Sequence, residues 1–501
     1  MERHRWIVSM GAVLVVIAGT FLPGCGGGSS GTKTPPPPTP AIQNINSSTT
    51  PTSPVSLPIE INGSGFQSAP GQVVFTQGSI SASVTPAASA WSDTGIVAVV
   101  PTGNGTTDFT VPGTVNVTVL TSGGTSNAVT VNLVATITFN PSQMSWGTTT
   151  ALPVALTGLR AVAVPGATSA SAFAIVAGGY NGAANTNTVW SNTLSNTGTV
   201  GSAWNTIITN PLPTTVAHHA MAEADPTNSL VASGKAYIYV IGGQTLPTDV
   251  GGTNAVYLAS VDPTSGQVGT WTQSTNSLPQ ALMGASATVH NGYLYVVGGL
   301  DMNGNPVTSV YSAPVNSDGS IGTWTTSTNV LPKAASFGEM TVFGGIIYYI
   351  DGDPNASIPP NQQFVGDTDV YYAGTVRGVV GPWTLNGNLT IHDRAKGILF
   401  TAYGQFISAE GVYTGSVGSG EMETAAVNGQ NTTNVALNAW TGLTGTQTAG
   451  ANVYNAAAFT SPLFAPNTNG PRFLILGGQG LTGTSGAGGA LSSTVYVNTA
   501  P

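Results

Sequence analysis

Cysteine is almost absent from this 501-residue chain: Cys25 stands alone, so no disulfide can form within the chain. Stability has to come from packing and strand pairing instead. Charge is equally scarce, with 10 basic and 19 acidic residues amounting to 6% of the sequence. The net charge is -9, and Lys and Arg cluster nowhere outside residues 3 to 5. The electrostatic footprint that DNA or RNA binding needs is therefore missing. Long apolar runs are also lacking apart from Trp6 to Leu22, which only Ser9 and Thr20 interrupt. What fills the space is Gly (66), Pro (33) and an excess of Thr, Ser and Asn, with 41% hydrophobic residues to build a core. Such a mixture suits many short strands joined by turns and argues against an all-helical chain.

The basic start Glu2-Arg3-His4-Arg5 followed by the apolar run reads as a signal peptide over residues 1–24, marginal in length for a membrane span. Leu22-Pro23-Gly24-Cys25 resembles the lipobox of bacterial lipoproteins, although Pro23 is less usual than a small residue there. That resemblance implies cleavage before Cys25 and lipidation of its sulfur. The alternative is an uncleaved anchor with an incidental Cys; either way the chain is exported and tied to a membrane. Residues 25–40 form a Gly/Ser/Pro tether that buries nothing. Gly26 behind Cys25 gives no acidic retention signal, which favours the outer membrane or cell surface.

Residues 41–136 carry short alternating runs split by Gly and Pro: Ser56 to Ile61, Val73 to Phe75, Ile96 to Val100 and Val115 to Val119. This spacing predicts a β-sandwich. The order Ile59-Glu60-Ile61-Asn62-Gly63-Ser64-Gly65-Phe66, Val73 to Phe75, Ile96 to Pro101, Gly113 to Val117 and Gly123 to Asn127 resembles the IPT/TIG family of immunoglobulin-like domains. Gly63 and Gly65 would permit a bend that turns Phe66 into the core.

From residue 139 to 501 the chain repeats itself. Tyr237 to Gly243, Ala255 to Ala259, Gly266 to Trp271 and Leu278-Pro279 recur as Tyr293 to Gly299, Ser309 to Ala313, Gly319 to Trp324 and Leu331-Pro332. A weaker copy runs through Ile347 to Gly352, Asp369 to Ala373 and Gly381 to Trp383. An apolar strand ending in Gly-Gly, a Val-Tyr strand and a Gly-x-x-Gly-x-Trp strand resemble the kelch repeat, one blade of a β-propeller. Trp146, Trp204, Trp271, Trp324, Trp383 and Trp440 mark six units about 59 residues apart on average. The expectation is an all-β chain: an immunoglobulin-like sandwich followed by a six-bladed kelch-like propeller. The region opens with a lone Trp strand and closes with Thr494 to Val497, so the N-terminal strand is expected to complete the last blade.

Because charges are few, those predicted on the innermost strands, just after the Leu-Pro landmark, are candidates for a ligand site at the channel mouth. They are Arg160, His218 with His219, Glu339, and Arg394 with Lys396, with Gly284 to Ser286 as the uncharged counterpart. The alternative is that they are isolated residues pairing with backbone carbonyls or lying on different levels of the channel. Adjacent His218 and His219 point to opposite faces of a strand and cannot readily share a metal. Asp301 to Asn305 opens like a calcium loop, but Pro306 and Ser312 stand where its turn glycine and Glu belong. His392-Asp393-Arg394 has triad-like types without a nucleophile elbow, and Gly483 to Gly489 lacks the Lys of a phosphate loop. No metal and no cofactor are expected.

Two functions follow. One is a membrane-anchored binding or adhesion protein that meets a glycan or protein ligand on the propeller. The other is an exported carbohydrate-active enzyme. Of its kelch types, the galactose-oxidase one needs a Tyr cross-linked to Cys, which this region lacks; a sialic-acid mutarotase-like activity could use Glu339, Arg160 or His218.

Overall fold

A computed structural model describes residues 36–46, 51–134, 139–168, 171–206, 210–229, 231–248, 251–355, 365–413, 421–427, 436–443, 453–461, 471–480 and 489–499. Cys25, the signal segment and most of the tether lie outside them. The described residues are all-β apart from two 3-10 turns, Ala88–Ala90 and Pro141–Gln143. Among them no helix is long and apolar enough to cross a membrane, which says nothing of strands.

Two sheets form first. One orders Ala41–Ile45, Pro58–Ser64 and Gly95–Val99; the other orders Thr52–Pro54, Val129–Val134, Gly113–Thr121, Gln72–Gln77 and Ile80–Val84, and Thr52–Pro54 runs parallel to Val129–Val134. Inward residues of both sheets share one core, with Ile59, Ile61, Phe66, Val73, Phe75 and Val117 fully buried. Gly65 takes a φ of 71° and swings Phe66 inward, where its ring meets Trp91 edge-on at 6.5 Å. A side chain at Gly63 would collide with the Ala41 carbonyl. Trp91 Nε1 donates to the carbonyls of Phe66 (3.1 Å) and Gln67 (3.0 Å), so the bend is fixed at both ends.

Among the described residues six larger sheets follow, each with four strands in simple antiparallel order, beside two two-stranded pairings, Arg394–Ala395 with Val412–Tyr413 and Val453–Tyr454 with Gln479–Gly480. Sheets I to VI begin with Arg160–Pro165, Ala220–Ala224, Ser286–His290, Glu339–Phe343, Ile398–Ala402 and Ala457–Thr460. Sheet IV gains a short extra strand, Val379–Val380. In sheet VI the order is Ala457–Thr460, Phe473–Leu476, Val495–Thr499 and finally Ser145–Thr149, so the earliest strand of the region pairs in register with the last, Trp146 opposite Asn498. Successive first strands are neighbours, and that of sheet VI neighbours that of sheet I. The result is a propeller-like arrangement.

The repeat landmarks explain why these sheets form. The second strand of each is apolar, buried on both faces and read as a near-continuous hydrophobic run, such as Ala172–Ala177 or Ile346–Ile350. It ends at two left-handed residues. Glycine supplies them in sheets I, II, III and VI (Gly178-Gly179, Gly242-Gly243, Gly298-Gly299, Gly477-Gly478), while Asp351-Gly352 and Glu410-Gly411 adopt the same signs in IV and V. The tryptophans staple one unit to the previous one: Nε1 of Trp204, Trp271, Trp324 and Trp383 donates to the carbonyls of Thr150, Asn210, Asn276 and Asn329 at 3.0 to 3.2 Å. Tyr239 OH donates to the Gly319 carbonyl (2.8 Å), and Tyr295 OH accepts from Thr375 Oγ1 (2.5 Å) and Gly378 N (3.0 Å).

Candidate functional site

The site grows out of one backbone position. Two residues before each first strand the chain turns left-handed: Gly158 (φ 61°), His218 (54°), Gly284 (61°), Phe337 (53°), Lys396 (58°) and Asn455 (53°). Their peptide groups bond to one another in a cycle. His218 N donates to Gly158 O, Gly284 N to His218 O, Phe337 N to Gly284 O, Lys396 N to Phe337 O, Asn455 N to Lys396 O, and Gly158 N to Asn455 O, all within 2.7 to 3.1 Å. Six donors and six acceptors satisfy each other without water, so these peptide groups need no other partner. Four of the six positions are not glycine, so each holds a side chain on a left-handed backbone that costs some strain.

The four side chains meet in a cavity of about 260 Å³, with Thr157, Tyr180, Gln244, Met283, Leu300 and Tyr454 among its walls. The two glycines make room for rings. A Cβ at Gly158 would stand 2.6 Å from the His218 imidazole, and one at Gly284 would stand 2.7 Å from the Phe337 ring. His218 and Phe337 pack edge to face at 5.6 Å and 89°, and Lys396 Nζ sits 4.6 Å from the Phe337 centroid. Three buried polar atoms on this wall have no hydrogen-bond partner: Thr157 Oγ1, His218 Nδ1 and Asn455 Oδ1. A buried unpaired acceptor costs about 1–3 kcal/mol, a cost that a ligand group reaching it would recover.

Electrostatics set the protonation states. Burial, reinforced by Lys396, Arg160 and His219, holds His218 well below the usual imidazole range, so it is neutral at pH 7. Burial pulls the Lys396 ammonium down to about 7, with Asp353 opposing. Arg160 and Glu339 occupy the first position of strands I and IV, one layer deeper. Burial pushes Glu339 up to about 7, partly offset by Arg160 and reinforced by Asp351. Below them a channel of about 370 Å³ is lined by first-strand residues of all six sheets, including Ala161, Ala222, Thr288, Thr341, Thr401 and Thr460.

Of the residues singled out in the sequence, His218 and Lys396 thus share the cavity, and Arg160 and Glu339 lie beneath it. Arg394 stands elsewhere. Fully buried, it pairs with Glu423 and donates to Ser408 Oγ (3.3 Å) and Glu421 O (3.0 Å); Ser408 in turn donates to Asp351 (2.9 Å). That network ties sheet IV to sheet V. His219 is buried on the opposite side from His218, against Gly178 and Gly243, with burial and then Arg160 lowering it to about 3. Reading only charges missed Phe337, Asn455 and Thr157. The signal was present: Gly158, His218, Gly284 and Phe337 each follow the Leu of a Leu-Pro landmark (Leu152, Leu212, Leu278, Leu331) by the same six residues.

Among known proteins, the kelch motif matches residues 281–312, which span the end of one unit's loop, its first two strands and the start of the third. A solved structure titled "Structure of YjhT" superposes with a TM-score of 0.47 at 13% identity, covering 69% of this chain and 95% of that one. No curated protein matches the sequence. The chain carries the kelch repeat in an all-β, propeller-like fold.

Proposed function

We infer that the chain is a membrane-anchored, exported binding protein whose six sheets are the blades of a closed propeller, held on an IPT/TIG-like sandwich and presenting the cavity to a glycan. The annulus of six mutually bonded left-handed residues carries this reading. It brings an aromatic face, an amine and three unpaired polar atoms together in a space suited to one sugar ring. A sugar offers an apolar face for Phe337 and hydroxyls that both donate and accept, matching Thr157, His218 and Asn455. The pairing of Ser145–Thr149 with Val495–Thr499 and the neighbouring first strands of sheets VI and I support ring closure. Lipidation of Cys25 is part of the proposal and is tested by replacing Cys25 with Ser and following membrane association.

The direct test is a glycan array probed with the wild type and with Arg160→Ala, Glu339→Ala and Asn455→Gly. Loss of a bound glycan in Asn455→Gly by about tenfold, the worth of one buried hydrogen bond, supports the cavity. Equal binding by all four proteins overturns it. A second reading, the mutarotase-like one, is favoured by Glu339, which burial poises near neutrality beside Arg160. Accelerated interconversion of sugar anomers followed by NMR, lost in Glu339→Gln, distinguishes it.

A further inference from the structure

Lys396 has features that glycan binding alone does not use. It is 6% exposed, it is the one amine among the six annular residues, and its backbone N and O are both fixed in the cycle. Its Nζ rests over the Phe337 face inside the cavity, and the neutral His218 ring, with Nδ1 unpartnered, packs edge to face against the same Phe337 side chain. An amine thus lines a ligand-sized cavity, with an imidazole packed against the same aromatic side chain.

We propose that Lys396 captures a small aldehyde or ketone, of the kind an open-chain reducing sugar presents, as an imine within the cavity. The proposal rests on the cavity being the ligand site. The Nζ lone pair attacks the carbonyl carbon, and one N–H proton passes to the oxygen to give a carbinolamine. A second N–H proton then leaves with the hydroxyl as water while the C=N bond forms. No oxidant or reductant is consumed, and one water is released. His218 is the group positioned to take the proton from nitrogen and return it to the departing hydroxyl. The carbonyl carbon then sits against Phe337, and the sugar hydroxyls reach Thr157 and Asn455.

The sequence makes the test clean, because the chain has only four lysines: Lys33, Lys235, Lys333 and Lys396. Lys333 is ion-paired with Asp367 (2.7 Å) and Asp369 (3.4 Å); burial works to lower it, but those pairings together outweigh burial and raise it above the ordinary lysine value. An ordinary lysine is neutral in roughly one molecule in a few thousand at pH 7. Burial pulls Lys396 down to about 7, so a far larger share of it is neutral there. The full chain is incubated at pH 7 with glycolaldehyde and cyanoborohydride, which reduces any imine to a stable amine, and the modified residues are mapped by peptide mass. Lys396 is expected to be modified at least about tenfold faster than the other three lysines, given that difference in neutral fraction. His218→Gln is expected to slow the labelling of Lys396, and Lys396→Arg to abolish the fast phase. The N-terminal amine is read separately from its own peptide.

Labelling of Lys33, Lys235 or Lys333 ahead of Lys396 in the wild type overturns the proposal without reliance on any variant. Glycosides with a blocked reducing end separate the two ideas. If they bind on the array while Lys396 stays unmodified, the cavity reading stands and the imine fails. If Lys396 is modified and no glycoside binds, the cavity takes carbonyl compounds and the glycan reading fails.

Discussion

At the scale of single residues, the annulus poses a choice between backbone comfort and side-chain chemistry. Glycine would be the unstrained solution at all six left-handed positions, yet only Gly158 and Gly284 use it. Asn455 separates the two contributions. Asn455→Gly keeps the conformation and is expected to melt within about 1 kcal/mol of the wild type, whereas Asn455→Ala puts at φ 53° a residue that enters this backbone region less readily than Asn or Gly and is expected to cost about 1 kcal/mol more. Equal melting of the two variants would show that strain is not stored there. Glu339 gives a pH signature. Its folded value of about 7 lies above its ordinary 4.5, so between those values the folded state holds a proton that the unfolded chain has released. Wild-type stability therefore falls as pH rises through that window and levels off above about 7, by up to about 3 kcal/mol for a shift of this size. Glu339→Gln never ionises, so its melting advantage over the wild type is expected to widen from about pH 5 to about pH 7.5 and then stay constant. Sequence reasoning reached His218, Lys396, Arg160 and Glu339 because charge is rare in this chain. It could not separate two registers, since His218 follows its Leu-Pro leucine by six residues and Glu339 follows Leu331 by eight. Phe337 escaped because an aromatic residue in a β-rich chain reads as core until its backbone angle is known.

Elements were more legible than residues, because alternation and landmark spacing carry the strand physics directly. The tryptophans, the Gly-Gly pairs and their degenerate forms at Asp351 and Glu410 all fall where one unit meets the next. The pairing least visible in local sequence is the long-range one, Ser145–Thr149 against Val495–Thr499. Nothing in either segment names the other, and only the leftover strand at each end of the repeat implied it. Val497 tests its weight. It lies between Leu474 on one side and Gly147 on the other, so a proline there removes a ladder hydrogen bond whichever neighbour its N–H serves. Val497→Pro is expected to destabilise by about 3 kcal/mol or more and to open sheet VI to proteolysis. Val379→Pro, on the exposed extra strand of sheet IV, is the matched control and is expected to change melting little. A Val497→Pro protein as protease-resistant as the control would mean that the end strands do not hold the region together.

Over the whole molecule, the sandwich and the propeller-like region from residue 37 onward form one compact unit, and the contact between them has a polar centre. Glu60, on a sandwich strand and 1% exposed, accepts from Asn291 Nδ2 (2.8 Å) and meets His290 Nε2 at 2.6 Å; Asn291 Nδ2 also reaches Asn62 Oδ1 (3.0 Å). Around it the packing is tight and apolar. Val97 belongs to the core of Ile346, Tyr348 and Phe406, and side chains added at Gly344 or Gly345 would strike Pro58 or Val97. His290, Gly344 and Gly404 all lie at the turns that end the first strands, so the sandwich docks on the end remote from the annulus, which stands before those strands begin. Five residues of strand, roughly 17 Å, separate the two. Glu60→Ala leaves the Asn291 amide short of an acceptor and removes the partner of a histidine that is only 22% exposed, a loss of about 1–3 kcal/mol at the junction. Glu60→Gln keeps an acceptor and is expected to lose less. Calorimetry of the full chain should then show the sandwich melting ahead of the remainder in Glu60→Ala, where the wild type melts as one. Glycan binding in that variant is expected to stay within about twofold of wild type, because the annulus is held by its own cycle of hydrogen bonds and not by the sandwich. If binding falls together with the junction, the sandwich is part of the recognition device, and the two ends of the channel are coupled through the first strands that join them.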